Sequence, residues 1–318
     1  MSLNAAARAI AAEIEAGAAA LGVAVHRVGG ATVLDCGVVA PGSDAAGLLV
    51  ARTALGDRGH VRLDPAGTEP LWPGCPWPAV AVSSDDPVTA CLAAQYAGWK
   101  VSVGKFFAMA SGPFRALVGR EALYDDIGRR ERDDVAVALL EAGKLPAEDV
   151  CARLAADAGV SPERLTILVA RTASPAGTLQ VIARSLETAL HRLHVAGFDL
   201  ERIVRGSGRA PLAPVAGDDL AAIGLTNDAI LYGGRVVLEV DADDDALAAV
   251  GPQVVSAGSP AYGSPFREVF TRAGGDFYAI DPALFAPAEV TFVNRATGRR
   301  QSFGHPAPEI VARSFAGA

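Results

Sequence analysis

With 318 residues, 51% of them apolar and only 20% charged, the chain is long enough to bury one large or two ordinary cores, which excludes disorder as its default state. Its formal net charge of −8 excludes a global field that would draw it to nucleic acid or to an anionic membrane. The four cysteines, Cys36, Cys75, Cys91 and Cys151, are too far apart for a CxxC pair and too few for a disulfide framework, so they read as reduced thiols.

The alanine-rich opening at 4–21 carries Arg8, Glu13 and Glu15, which interrupt any apolar signal core, so it reads as an amphipathic helix. A short apolar run at 31–34 predicts a strand, and so does 79–83, which follows the LWPGCPWP loop at 71–78. Helices are predicted at 87–98, 133–143, 147–158 and 177–196, and a further strand at 165–170. The charged stretch YDDIGRRERDD at 124–134 is the best candidate for a boundary. RGSGRAPLAP at 205–214 and GSPAYGSP at 258–265 are punctuated as turns or loops, with a strand between them at 229–240. Residues 289–294 and 299–303, joined by Ala296-Thr297-Gly298, read as a strand pair, and 306–315 as a closing helix.

Helices and strands interleave, which predicts an α/β or α+β fold. Two lobes are expected, 1–130 and 131–318, either contiguous or interleaved, with the site in a cleft between them, where such sites form. No run reaches the roughly 18 apolar residues of a membrane helix, so the expected location is the cytoplasm.

The most informative segment is 172–198, with turn residues in front of it and Gly197 behind. On a helix of 3.6 residues per turn, Leu179, Ile182, Leu186, Ala189 and Leu193 share the apolar side. Gln180, Arg184, Glu187 and His191 line the other. On spacing alone, Arg184 and Glu187 are a solvated ion pair contributing a few tenths of a kcal/mol. The functional alternative is a carboxylate kept ionised by a neighbouring guanidinium and able to take a proton from water. Spacing does not choose between them.

Several blocks resemble the methenyltetrahydromethanopterin cyclohydrolase family: Asp35-Cys36-Gly37, QYAGW at 95–99, AMASGPFRAL at 108–117, QVIARSLETAL at 180–190, TNDAILYGG at 226–234 and YGSPFREVFTRAGGDFYAIDPALF at 262–285. The last is the most specific, because YGxPF and DFYxIDPxLF occur at that separation and in order with the others. The resemblance points to Arg184 and Glu187 as the catalytic pair. It implies a pterin-bound one-carbon cation as substrate, water as second substrate, no metal or redox cofactor, and a homotrimer. Ala110 and Phe114 stand where small Gly and Ala residues are usual, and the aromatic often found before the aspartate of GGDFY is missing, which bears on the pterin or tail contacts.

Substrate contacts are expected from Gln180, Ser111, Gly112, Thr226, Asn227, Asp228, Tyr262, Asp276 and Phe277. For Thr226, Asn227, Asp228 and Asp276, capping of turns or strand ends is an equally good reading. The aromatics of 262–285 suit stacking on a pterin, although most such rings are core residues. Gly206-Ser207-Gly208-Arg209 and Ser111-Gly112-Pro113 are either turns or anion cradles for the substrate's tail. His191 and His194 form an HxxH pair without an accompanying ligand at the usual spacing, so no metal is assigned. Two other readings stay open: a non-catalytic tetrahydropterin-binding protein, and a different pterin-linked one-carbon transfer enzyme.

Overall fold

The computed structural model describes residues 1–317 and divides them into two compact units. One comprises Met1–Gly59 and Thr89–Gln180, the other His60–Val88 and the chain from Val181 onward. The expected division at 130/131 is therefore replaced by crossings at 59/60, 88/89 and 180/181. The charged stretch is used inside the first unit: Glu131 accepts the backbone N–H groups of Leu3 and Asn4 at 2.5 and 3.1 Å, capping the helix Leu3–Ala16. Those N–H groups have no partner within a helix, and a carboxylate there is also favoured by the helix dipole.

Twelve strands run in chain order: β1 (Ala24–Val28), β2 (Ala31–Asp35), β3 (His60–Asp64), β4 (Ala79–Ser84), β5 (Trp99–Val103), β6 (Phe106–Ser111), β7 (Ala136–Glu141), β8 (Leu165–Ala170), β9 (Ile203–Pro211), β10 (Arg235–Val240), β11 (Glu289–Asn294) and β12 (Arg300–Gly304). With the helices between them they make the mixed α/β fold the interleaving predicts. The first unit holds a sheet of order β1-β2-β8-β7-β6-β5, with β2, β8 and β7 parallel and hairpins at both edges. Its strands alternate between two cores. Ala136, Ala138 and Leu140 face Val150 and Leu154 of the helix Glu148–Ala158, whereas Val137 and Leu139 face Ile10 and Ile14 of the first helix and Val50 of the helix Asp44–Ala54.

Burial on both faces explains why 133–143, expected to be helical, forms β7: a central strand covered by helices on either side loses the polar alternation that marks a half-exposed one. The opening helix stops at Gly17, where a second short helix, Ala18–Leu21, begins, and 87–98 is realised as the π-helix Val88–Gln95.

The second unit holds a sheet of order β12-β11-β10-β9-β4-β3, antiparallel except for β10 beside β11. Two expectations fail here. RGSGRAPLAP is mostly β9, a nine-residue central strand rather than a loop. The strand expected at 229–240 begins only at Arg235, because 219–233 is a helix whose first turn is capped by the Asp218 carboxylate accepting the Ala221 N–H at 2.8 Å. The strand pair β11–β12 and the closing helix Pro308–Phe315 form as predicted.

Candidate active site

The segment 177–196 is two helices rather than one, Pro175–Ile182 and Ser185–Val195, and the break falls on Ala183 and Arg184. The Arg184 N–H closes a tight turn onto the Val181 carbonyl at 3.0 Å, and the Arg184 carbonyl opens the next helix by accepting the Thr188 N–H, also at 3.0 Å. Arg184 thus occupies the N-cap position of the second helix, and Glu187 lies in its first turn. Neither is solvated: Arg184 is 6% exposed, Glu187 5% and Gln180 0%, while His191 is half-buried. Removing a charged group from water costs several kcal/mol unless protein or ligand groups compensate. A pair so placed is not the exposed ion pair that spacing alone suggests, and its side chains are reserved for interactions inside the molecule.

The strand β9 carries the first turn of this helix. Gly206 and Gly208 point to the same face, and Ser185 and Leu186 lie directly against them. Residues 206–209 are paired to β4 on one side and β10 on the other, so their backbone belongs to the sheet and does not form the anion cradle considered for this motif.

In the first unit, Ser111 is buried at the end of β6, and Gly112 follows with φ +92°, a conformation that favours glycine. The Gly112 N–H donates to the Ala94 carbonyl at 2.8 Å and its carbonyl accepts the Arg115 N–H at 3.1 Å. Phe114, one of the departures from the family pattern, is buried and stacked on Trp99 with centroids 4.8 Å apart. The Asp35 carboxylate, also buried, accepts four successive backbone N–H groups, those of Gly37, Val38, Val39 and Ala40, at 2.7–3.1 Å.

The remaining candidates lie in the second unit. Thr226, Asn227 and Asp228 occupy consecutive positions of the helix Asp219–Gly233. The Thr226 hydroxyl donates to the Ala222 carbonyl and the Asn227 amide to the Ile223 carbonyl, both at 2.8 Å. Asp228 is 1% exposed, and its carboxylate accepts the Phe266 N–H at 2.8 Å and the Ser314 hydroxyl at 2.6 Å, joining its helix to Phe266–Arg272 and to the closing helix. Burial pushes the Asp228 carboxyl up to about 7, against the pull of these two donors. Tyr262 packs on Tyr232 at 5.1 Å, and Asp276 caps its own turn by accepting the Tyr278 N–H at 2.9 Å. Phe277 packs against Phe270 at 4.6 Å and Phe266 at 5.9 Å while remaining 36% exposed.

Residues 2–315 match the family model described as Cyclohydrolase (MCH). The chain belongs to the methenyltetrahydromethanopterin cyclohydrolase family. Similar proteins include methenyltetrahydromethanopterin cyclohydrolases of Rhodopirellula baltica, 47% identical over 91% of this chain and 87% of that one, and of Methylobacillus flagellatus, 45% identical over 90% and 86%. An archaeal cyclohydrolase, from Methanosarcina barkeri, is 41% identical over 90% of this chain and 89% of its own.

In this cyclohydrolase family member the four cysteines are buried and form no disulfide. Burial, with Asp35 beside it, pushes the Cys36 thiol up to about 12, and burial raises Cys151 to about 11, so neither supplies a thiolate near neutral pH. Among the described residues no helix is long and apolar enough to cross a membrane, and no third ligand joins His191 and His194. Arg115, which spacing does not single out, is 1% exposed: its guanidinium pairs with Glu121 at 2.5 Å, donates to the Leu92 carbonyl at 3.1 Å, and lies over the rings of Tyr96 and Tyr124. The one hint was a lone charge inside the apolar run PFRAL. A buried arginine in a five-residue helix, Phe114–Val118, carries no periodic signal.

Proposed function

We propose that this chain hydrolyses 5,10-methenyltetrahydromethanopterin, reversibly, to the N5-formyl compound. The end-to-end similarity to cyclohydrolases of both bacteria and archaea supports the reading. The withdrawal of Glu187 and Arg184 from solvent at one helix junction is the observation that carries the assignment of the chemistry to this pair.

The methenyl carbon bridges N5 and N10 as an amidinium-like cation and is already electrophilic. The oxygen of water bonds to that carbon as the carbon–nitrogen π pair moves onto nitrogen, while the Glu187 carboxylate accepts a water proton. A proton then reaches N10, the carbon–N10 bond breaks with its electron pair on nitrogen, the added hydroxyl gives up its proton as its oxygen becomes the formyl carbonyl, and the formyl group stays on N5. One proton is released overall. An ionised Glu187 also favours the cationic substrate, and Arg184 beside it holds and tunes the carboxylate.

The test is the loss of methenyl absorbance when purified protein meets methenyltetrahydromethanopterin, run beside methenyltetrahydrofolate and an Arg184/Glu187 double variant. Rapid decay with the first pterin that disappears in the variant supports both reaction and site; no acceleration over buffer refutes the enzyme reading. The assembly implied by the resemblance is a homotrimer, checked by light scattering against three times the chain mass of 32.5 kDa.

A further inference from the structure

The motif Arg205-Gly206-Ser207-Gly208-Arg209 stood out in the sequence as a turn, yet it lies in the middle of β9, where glycine has no conformational advantage. Glycine in a strand interior weakens the strand and marks a place where another backbone or a ligand approaches closely. Here the approaching group is the first turn of the helix Ser185–Val195. A Cβ built on Gly208 would lie 2.6 Å from the Ser185 hydroxyl oxygen, 2.8 Å from the Leu186 amide nitrogen and 3.2 Å from the Leu186 α-carbon. A Cβ on Gly206 would lie 2.7 Å from Leu186 Cδ1, the tip of a flexible side chain. The two glycines differ in kind: Gly206 accommodates a side chain, whereas Gly208 accommodates a backbone.

This backbone is the one between Arg184 and Glu187. The first turn has no side-chain cap: Arg184 occupies the N-cap position, where Ser, Thr, Asp or Asn would normally secure the first N–H groups. The Ser185 hydroxyl is wholly buried and has no hydrogen-bond partner among the described residues, so it does not cap the turn either. The turn rests directly on the bare α-carbon of Gly208, on a strand held by β4 and β10 on both sides.

We propose that Gly208 is a positioning residue for the reaction, acting through the Ser185–Leu186 backbone to set the separation and direction of Arg184 and Glu187. The inference rests on the reading that this pair performs the chemistry. Ordinary contact with a Cβ begins near 3.4 Å, so Gly208→Ala moves the Leu186 nitrogen by roughly half an ångström, and misplacement of catalytic groups by about 1 Å costs on the order of 100-fold in rate.

The experiment compares Gly208→Ala with Val290→Ala, which opens a cavity in the same sheet on β11, and with Glu187→Gln, each assayed for kcat, KM and thermal stability. The expected result is a kcat for Gly208→Ala lowered about tenfold or more with KM changed less than threefold, while Val290→Ala loses stability at unchanged kcat. A Gly208→Ala protein that is less stable but turns over normally overturns the proposal. If Gly208→Ala does not fold, Ser185→Ala/Gly208→Ala removes the hydroxyl contact and leaves the Leu186 amide contact, and the same split of kcat against KM decides. Full activity in Glu187→Gln would refute the underlying assignment instead, whatever Gly208→Ala does.

Discussion

Replacing Asp228 by asparagine makes stability less dependent on pH, and the sign follows from where its carboxylate sits. The group is 1% exposed, accepts the Phe266 N–H and the Ser314 hydroxyl, and titrates near 7 instead of 3.8, because burial outweighs these bonds. Of the charges that act on it, Arg313 pulls the value down and Glu268 pushes it up. The folded chain therefore binds this proton more tightly than the unfolded chain. Its contribution to stability is fully present below about pH 3.8 and is lost as pH rises through about 7. At about 1.4 kcal/mol per tenfold in proton affinity, the loss has a ceiling on the order of 4 kcal/mol. In Asp228→Asn the amide oxygen still accepts the Phe266 N–H and the amide N–H₂ turns to the Ser314 oxygen, so the variant resembles the protonated acid at every pH. Thermal unfolding of both proteins at pH 5, 6, 7 and 8 and constant ionic strength isolates this group from the other carboxylates. The variant's advantage should be small at pH 5 and grow to roughly 5 °C or more at pH 8, given about 2–4 °C per kcal/mol for domains of this size. An equal difference at pH 5 and pH 8 would refute the assignment of a raised proton affinity to Asp228.

Three further outcomes follow from buried polar groups. Arg184→Lys keeps the charge but loses the planar fork, and kcat should fall at least tenfold in the methenyl absorbance assay; unchanged turnover would show that the charge alone suffices. Arg115→Met leaves Glu121 and the Leu92 and Ala94 carbonyls without their donor and should cost about 3–5 kcal/mol in denaturant unfolding, a loss below about 1 kcal/mol counting against the network. Asp35→Asn turns an N–H₂ group toward the N–H donors of either Gly37 and Val38 or Val39 and Ala40, and should cost about 2–3 kcal/mol by the same measurement. Wild-type stability in that variant would mean the loop does not depend on the carboxylate.

Much of the architecture was legible from residue pattern alone. The strands at 79–84 and 165–170, the helix Glu148–Ala158, the β11–β12 pair and the closing helix all announce themselves through apolar period, flanking turn residues or a Gly-containing connection. The family was legible too, because ordered blocks such as YGxPF and DFYxIDPxLF depend on residue identity rather than on folding. Period reports how side chains are arranged around their own segment. It does not report what covers them. Hence β7, sandwiched between two cores, looked helical, and the stripe Gln180, Arg184, Glu187 looked solvated when it is buried. The break at Arg184 lies in a segment whose apolar repeat continues without interruption. Glycine is ambiguous for the same reason: it permits a turn and it permits a close approach, and at Gly208 only the position of Leu186 in the folded chain distinguishes the two. Residue identity determined the family and most of the elements, whereas the tertiary structure decided which polar groups leave water and which backbones touch, because both depend on neighbours remote in the chain.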